Sequence, residues 1–124
     1  FFLKVANPQK GDLLPVLDIE TASNLSGEQL AADIKVWIET VRAHIGRYPI
    51  IYTDRAFWEA SIHANFSMCP LWIADWENSH APLLPQHWSN WLFWQYSSTA
   101  TVPGIPSKGK ADLDCFVGSN LQSL

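Results

Sequence analysis

Apolar residues along this chain fall into one long periodic stripe and several short unbroken runs. Leu30, Ile34, Trp37, Ile38, Val41 and Ile45 recur at steps of three and four, which places them on one face of a helix. Ser26 with Gln29 three residues later has capping-box spacing, and Gly46 is a natural C-terminal stop, so the stripe predicts a helix between them. Val16 to Glu20, Pro49 to Thr53 and Pro70 to Asp75 are β-rich runs without polar alternation, as expected of strands covered on both faces. Asp54 is placed to cap a short helix through about Ser61. Trp91 to Tyr96 predicts a fourth strand, Ser97 to Lys110 a long loop, and Ala111 to Phe116 a last strand. Phe1 to Ala6 is apolar, lacks a cap and meets Asn7-Pro8, which is the tail of a helix already under way. The β, α, β, α, β rhythm implies an α/β fold with parallel strands.

Composition narrows the classes. With 124 residues, 48% hydrophobic and 16% charged, the chain is expected to form one domain around a core. A net charge of -4 without a Lys/Arg cluster argues against nucleic acid or an anionic membrane as partner. No apolar run is long enough for a membrane span, and no export signal is visible at the first residues. Seven Trp supply core or stacking platforms for the flat apolar faces of sugars. Cys69 and Cys115 are compatible with one disulfide or with two thiols, and we favour free thiols.

Candidate chemistry collects at the C-terminal ends of the expected strands: Asp18 and Glu20, then Tyr52, Asp75, Gln95 and Tyr96. In parallel α/β sheets and barrels that edge binds ligands. Asp18 and Glu20 stand one residue apart at a strand end, so both point the same way, with roots roughly 7 Å apart. Each charge then raises the other's proton affinity, the arrangement of an acid/base pair. The plainer alternatives are a strand end whose acids face water, tyrosines at a sheet rim, and Asp75 as a cap or turn residue. No His has a metal-ligand spacing and no Gly-x-Ser-x-Gly elbow exists, so neither metal nor cofactor is called for.

The same residues carry a resemblance. Leu14-Pro-Val-Leu-Asp-Ile-Glu20, Pro49-Ile-Ile-Tyr-Thr53, Pro70-Leu-Trp-Ile-Ala-Asp75, Phe93-Trp-Gln-Tyr-Ser-Ser98, Val102-Pro-Gly-Ile105 and Ala111-Asp-Leu-Asp114 resemble successive motifs of glycoside hydrolase family 25. These are the lysozymes, or N-acetylmuramidases, that include phage endolysins and bacterial autolysins. The resemblance implies a (β/α) TIM-type barrel that cleaves the β-1,4 bond between N-acetylmuramic acid and N-acetylglucosamine in bacterial peptidoglycan, acting at the cell wall. It implies Glu20 as general acid and Asp18 as the group that orients or stabilises the N-acetyl group or the intermediate. Asp112 would line the site from the last strand, with Tyr52, Asp75, Trp94 and Tyr96 around the sugar. Whether a carboxylate or the substrate's acetamido group attacks the sugar stays open.

The departure is at the start. The family's first strand, with its Gly-Ile-Asp-like motif, and two further strand and helix units are absent, and 124 residues are too few for a barrel of at least about 200. The expectation is therefore a partial barrel, the C-terminal part of the domain, either from a longer enzyme or a short form closed by a homo-oligomer. Two rival readings follow: a half-barrel that binds glycan without cutting it, and an assembly module that uses its open face.

Overall fold

The computed structural model describes residues 1–9, 11–106 and 110–121. Its elements are α1 (Phe2–Ala6), β1 (Val16–Asp18), α2 (Gly27–Ile45), β2 (Ile50–Asp54), α3 (Arg55–Ser61), β3 (Leu71–Ala74), β4 (Phe93–Ala100) and β5 (Ala111–Phe116). The five strands form one sheet in chain order, β1-β2-β3-β4-β5.

α2 begins and ends as the sequence predicts. The Ser26 side chain accepts from the Gln29 backbone N–H while the Gln29 side chain accepts from the Ser26 N–H, and Gly46 closes the helix in the left-handed conformation at φ 76°. Leu30, Ile34, Ile38 and Val41 are buried along its inner stripe. They meet one face of the sheet, carrying Leu17, Ile19, Ile51, Leu71, Ile73, Trp94 and Cys115. Trp58, Phe66 and Trp88 fill the space beside them, with Trp58 edge-on to Trp88 at 5.0 Å and to Phe66 at 5.8 Å. Each such apolar side chain contributes about 1.5–3 kcal/mol by leaving water. Asp54 caps α3, its Oδ1 accepting from Phe57 N at 2.8 Å. α1 lies against α2 through Phe2, whose ring is 5.4 Å from that of Trp37.

β1 to β4 pair in parallel, as expected, but β5 is antiparallel to β4. Among the described residues no helix separates the last two strands, and a parallel return needs a crossover of a dozen residues or more, so the chain folds back as a hairpin arm. The stretch expected to be loop from Ser97 is strand as far as Ala100, which pairs with Ala111 after two register shifts. Both faces of such an arm can meet water, so its Ser and Thr residues carry no apolar signal. The part of the expected loop at 107–109 lies outside the described residues. Cys69 and Cys115 are both free thiols, and no helix among the described residues is long and apolar enough to cross a membrane.

Candidate active site

The register of the sheet decides which side chains can meet. Asp18 stands opposite Tyr52, Tyr52 opposite Trp72, Trp72 opposite Phe93 and Phe93 opposite Phe116. Two residues further along, Asp54 stands opposite Ala74, Ala74 opposite Gln95 and Gln95 opposite Asp114. These residues share the face of the sheet turned away from α2, because side chains alternate along a strand. Rings step across it: Tyr52 to Trp72 at 5.5 Å, Trp72 to Phe93 at 5.2 Å and Phe93 to Phe116 at 5.1 Å. All four are half-buried, whereas their neighbours on the α2 side are mostly buried.

Asp18 and Glu20 lie at the C-terminal end of β1. Regular pairing ends at Asp18, yet Ile19 N donates to Tyr52 O at 2.9 Å and Thr53 Oγ1 donates to Ile19 O at 2.8 Å. Both polar groups of the Ile19 backbone are thereby fixed, which aims the flanking acids together. Burial of its carboxyl, then the charges of Asp18 and Asp54, raise the proton affinity of Glu20 above the ordinary carboxylate value, while the Tyr52 phenol works against the rise. Tyr52 stands beside Glu20, and burial followed by the Glu20 charge pushes its phenol up to about 12.

Glu20 opens into a cleft of about 440 Å³ that it shares with Asp54, Arg55, Asp75, Trp76 and Leu83. Arg55, the one basic lining residue among the described residues, is engaged by Glu59 at 3.0 Å. No cluster of metal-ligating side chains occurs among the described residues.

The other expected site residues separate. Asp112 is exposed on β5, and its charge reaches Tyr52 and Asp114. The Asp75 carboxylate lines the cleft but is spent on its own loop: it accepts from Glu77 N at 3.2 Å, Asn78 N at 3.3 Å, Asn78 Nδ2 at 2.7 Å and Leu83 N at 2.8 Å. Burial opposes its ionisation, but these hydrogen bonds outweigh burial and hold its proton affinity below the ordinary value. Trp94 is not brought to the carboxylates. It is 7% exposed, packs in the core on the α2 side, and donates from Nε1 to Asp75 O at 2.8 Å. Tyr96 rests edge-on against Trp94 at 5.9 Å, 40% exposed, and no contact ties it to Glu20.

Gln95, one of the polar residues at the strand ends, takes part together with three side chains that the sequence reading did not single out, Trp72, Trp76 and Asp114. Gln95 Oε1 accepts from Tyr52 Oη at 3.0 Å and from Trp76 Nε1 at 2.9 Å. Trp76 is 55% exposed on the cleft, so this bond fixes the attitude of a large aromatic face. Trp72 Nε1 donates to Asp114 Oδ1 at 2.7 Å. The signal for Trp76 was the phase of alternation, since counting by twos from Trp72 reaches Ala74 and Trp76.

Paired carboxylates at the C-terminal edge of parallel strands, one with raised proton affinity, are an arrangement that barrel-type glycoside hydrolases use. Residues 1–105 match the sequence profile of glycosyl hydrolases family 25, and the chain belongs to that family. It is 34% identical over 115 residues to lysozyme M1 of Streptomyces globisporus, covering 84% of this chain and 37% of that protein. It is 30% identical over 118 residues to the YegX protein of Escherichia coli K12, covering 95% of this chain and 42% of that protein. The bacterial lysozyme of Streptomyces coelicolor superposes with a TM-score of 0.72 at 33% identity, over 84% of this chain and 51% of that one. The chain thus spans about two-fifths of these curated relatives and about half of the solved lysozyme. Its sheet is the C-terminal part of the family's (β/α) barrel.

Proposed function

We propose that the protein to which this chain belongs hydrolyses the glycan strands of bacterial peptidoglycan, at the β-1,4 bond between N-acetylmuramic acid and N-acetylglucosamine, with Glu20 as general acid. The observation that carries the reading is the raised proton affinity of Glu20 in a cleft, next to Asp18. A general acid must hold a proton near neutral pH, and partial burial beside a second carboxylate is how a Glu does so.

In this reading Glu20 gives its proton to the leaving glycosidic oxygen as the bond to C1 breaks. Positive charge grows at the ring, and Asp18 stabilises it or orients the acetamido group that attacks C1. Water then adds its hydroxyl to C1 and returns a proton to Glu20. Trp76 and Tyr52 offer the sugar an aromatic face and a phenol oxygen, and Asp112 lines the far side.

The test is loss of turbidity of purified cell walls with the chain and with Glu20→Gln. Clearing by the wild type alone supports the reading, and equal clearing by both removes Glu20 from the mechanism. A second reading has its own observation: the aromatic face from Tyr52 to Phe116 is half-open and the chain spans about half of the solved lysozyme. A half-barrel closed by a second copy, or one that binds glycan without cutting it, fits this as well. Mass in solution and co-sedimentation with insoluble peptidoglycan distinguish these forms.

A further inference from the structure

Trp76 is a large apolar ring that the fold leaves in the open, yet fastens at both ends. It is 55% exposed and lines the cleft that holds Glu20 and Leu83. The residue before it is anchored through its backbone and its side chain. Asp75 N donates to Gln95 O at 3.1 Å, Asp75 O accepts from Trp94 Nε1 at 2.8 Å, and the carboxylate accepts from Glu77, Asn78 and Leu83 in its own loop. At the far end of the ring, Trp76 Nε1 donates to Gln95 Oε1 at 2.9 Å. An indole N–H can only donate, so the atom that faces it is the carboxamide oxygen, and the orientation of Gln95 follows. Gln95 itself is 6% exposed, and Ala74, its partner on β3, has too short a side chain to stand between them. A ring that served stability alone would contribute more if it were covered.

We propose that Gln95 is a positioning residue that holds the Trp76 indole as a preformed stacking platform for one pyranose ring of the glycan, in the cleft that contains Glu20. The inference rests on the reading of this cleft as a glycan site. A pyranose offers an apolar face of C–H groups and a rim of hydroxyl donors. Trp76 with Leu83 matches the face, and the carboxylates of Glu20 and Asp54 match the rim. A ring fixed in advance loses little rotamer freedom when the sugar arrives, which favours binding, and it sets where the sugar lies relative to the acid. Tyr52 Oη donates to the same Gln95 oxygen at 3.0 Å, so the phenol and the indole are held at a set separation by one buried atom.

The probe is the disaccharide N-acetylglucosaminyl-N-acetylmuramic acid, which lacks the bond that the proposed reaction breaks, so binding is read without turnover. The Trp76 indole N–H of the full chain is followed by proton–nitrogen NMR and assigned by its loss in Trp76→Phe. The disaccharide is titrated into the wild type, Gln95→Met, Trp76→Ala and the double variant. The indole N–H is expected to exchange slowly with solvent in the wild type and faster in Gln95→Met, and its resonance to move as the disaccharide binds. Affinity is expected to fall about tenfold in Gln95→Met and at least as much in Trp76→Ala, with the double variant no weaker than Trp76→Ala alone.

Losses that add in the double variant would show that Gln95 acts through something other than Trp76, and would overturn the proposal. So would a wild-type indole N–H that exchanges as freely as in a short peptide, a reading that needs no substitution in the core should Gln95→Met fail to fold. An indole resonance unmoved by the disaccharide, or affinity unchanged in Trp76→Ala, overturns it as well, whatever Glu20→Gln does to cell walls. The expected pattern of binding together with full clearing by Glu20→Gln would instead overturn the general-acid reading and leave the platform standing.

Discussion

Trp72 and Asp114 are joined across an intervening strand: the indole N–H on β3 reaches over β4 to the carboxylate on β5 at 2.7 Å. The contact ties the hairpin arm to the parallel part of the sheet. Burial raises the proton affinity of Asp114, the indole bond works against that, and Asp112 adds to the rise. Trp72→Phe is expected to cost about 1 kcal/mol, the net worth of such a bond at a partly exposed site. Urea unfolding of Trp72→Phe, Asp114→Ala and the double variant checks it: the two losses are expected to be less than additive, and full additivity would mean the contact contributes nothing.

Glu20→Gln is expected to stabilise the fold at neutral pH. A carboxyl with raised proton affinity in the folded state is most comfortable protonated, so its contribution is fully present below the unfolded pKa and is lost as pH rises through the folded one. Removing the charge removes the loss. Thermal melts should show the variant above the wild type at pH 7 and the two converging near about pH 3, where the carboxyl is protonated in both states. A lower melting temperature for the variant at pH 7 would contradict the environment described for Glu20.

Asp75 has the opposite sign. Its carboxylate is held ionised by hydrogen bonds from the loop it organises, so it stabilises above the unfolded pKa and loses that effect as pH falls through the lower folded value. Asp75→Ala is expected to cost about 1–2 kcal/mol at pH 7, with the difference shrinking in acid. Leu83 N would lose its acceptor, and hydrogen exchange at that amide should accelerate. Unchanged exchange would show that the loop holds its shape without the carboxylate.

Gly27, the first residue of α2, lies where the backbone of α3 passes closely. A Cβ at this position would run into the carbonyl oxygen of Ser61. Overpacking costs about 1–3 kcal/mol and better helix propensity returns up to about 1 kcal/mol, so Gly27→Ala is expected to be destabilising by about 1 kcal/mol. Chemical denaturation measures it directly, and a stabilised variant would mean that the two helices separate without cost.

Periodicity made α2 readable to its last residue, because its stripe, capping box and terminal glycine all agree. Asp54 as a cap and the β, α, β order were readable for the same reason. The faces of β3 and β4 were not. Their runs are apolar on both sides, so nothing in Leu-Trp-Ile-Ala or Phe-Trp-Gln-Tyr says which residue looks inward, and a slip of one residue exchanges the faces. Trp94 lies in the phase that faces α2, whereas Phe93 and Gln95 stand in the phase of Tyr52 and Trp72. Asp18 and Glu20 escaped this ambiguity because two carboxylates at i and i+2 declare their own side. The direction of β5 was hidden because the turn residues say that the chain reverses, not that a strand pairs on its return.

β1 is the outermost strand of the sheet, and Asp18 ends it with Glu20 two residues beyond. Assembly and chemistry therefore share one seam. A strand laid along the free side of β1 would become the next wall of the cleft, and its alignment would be transmitted to Asp18 and Glu20 through the backbone of a single three-residue segment. A neighbour shifted by one step along that seam would meet the acids with the opposite set of its side chains, so the register of sheet closure and the surroundings of Asp18 and Glu20 are one requirement in this architecture.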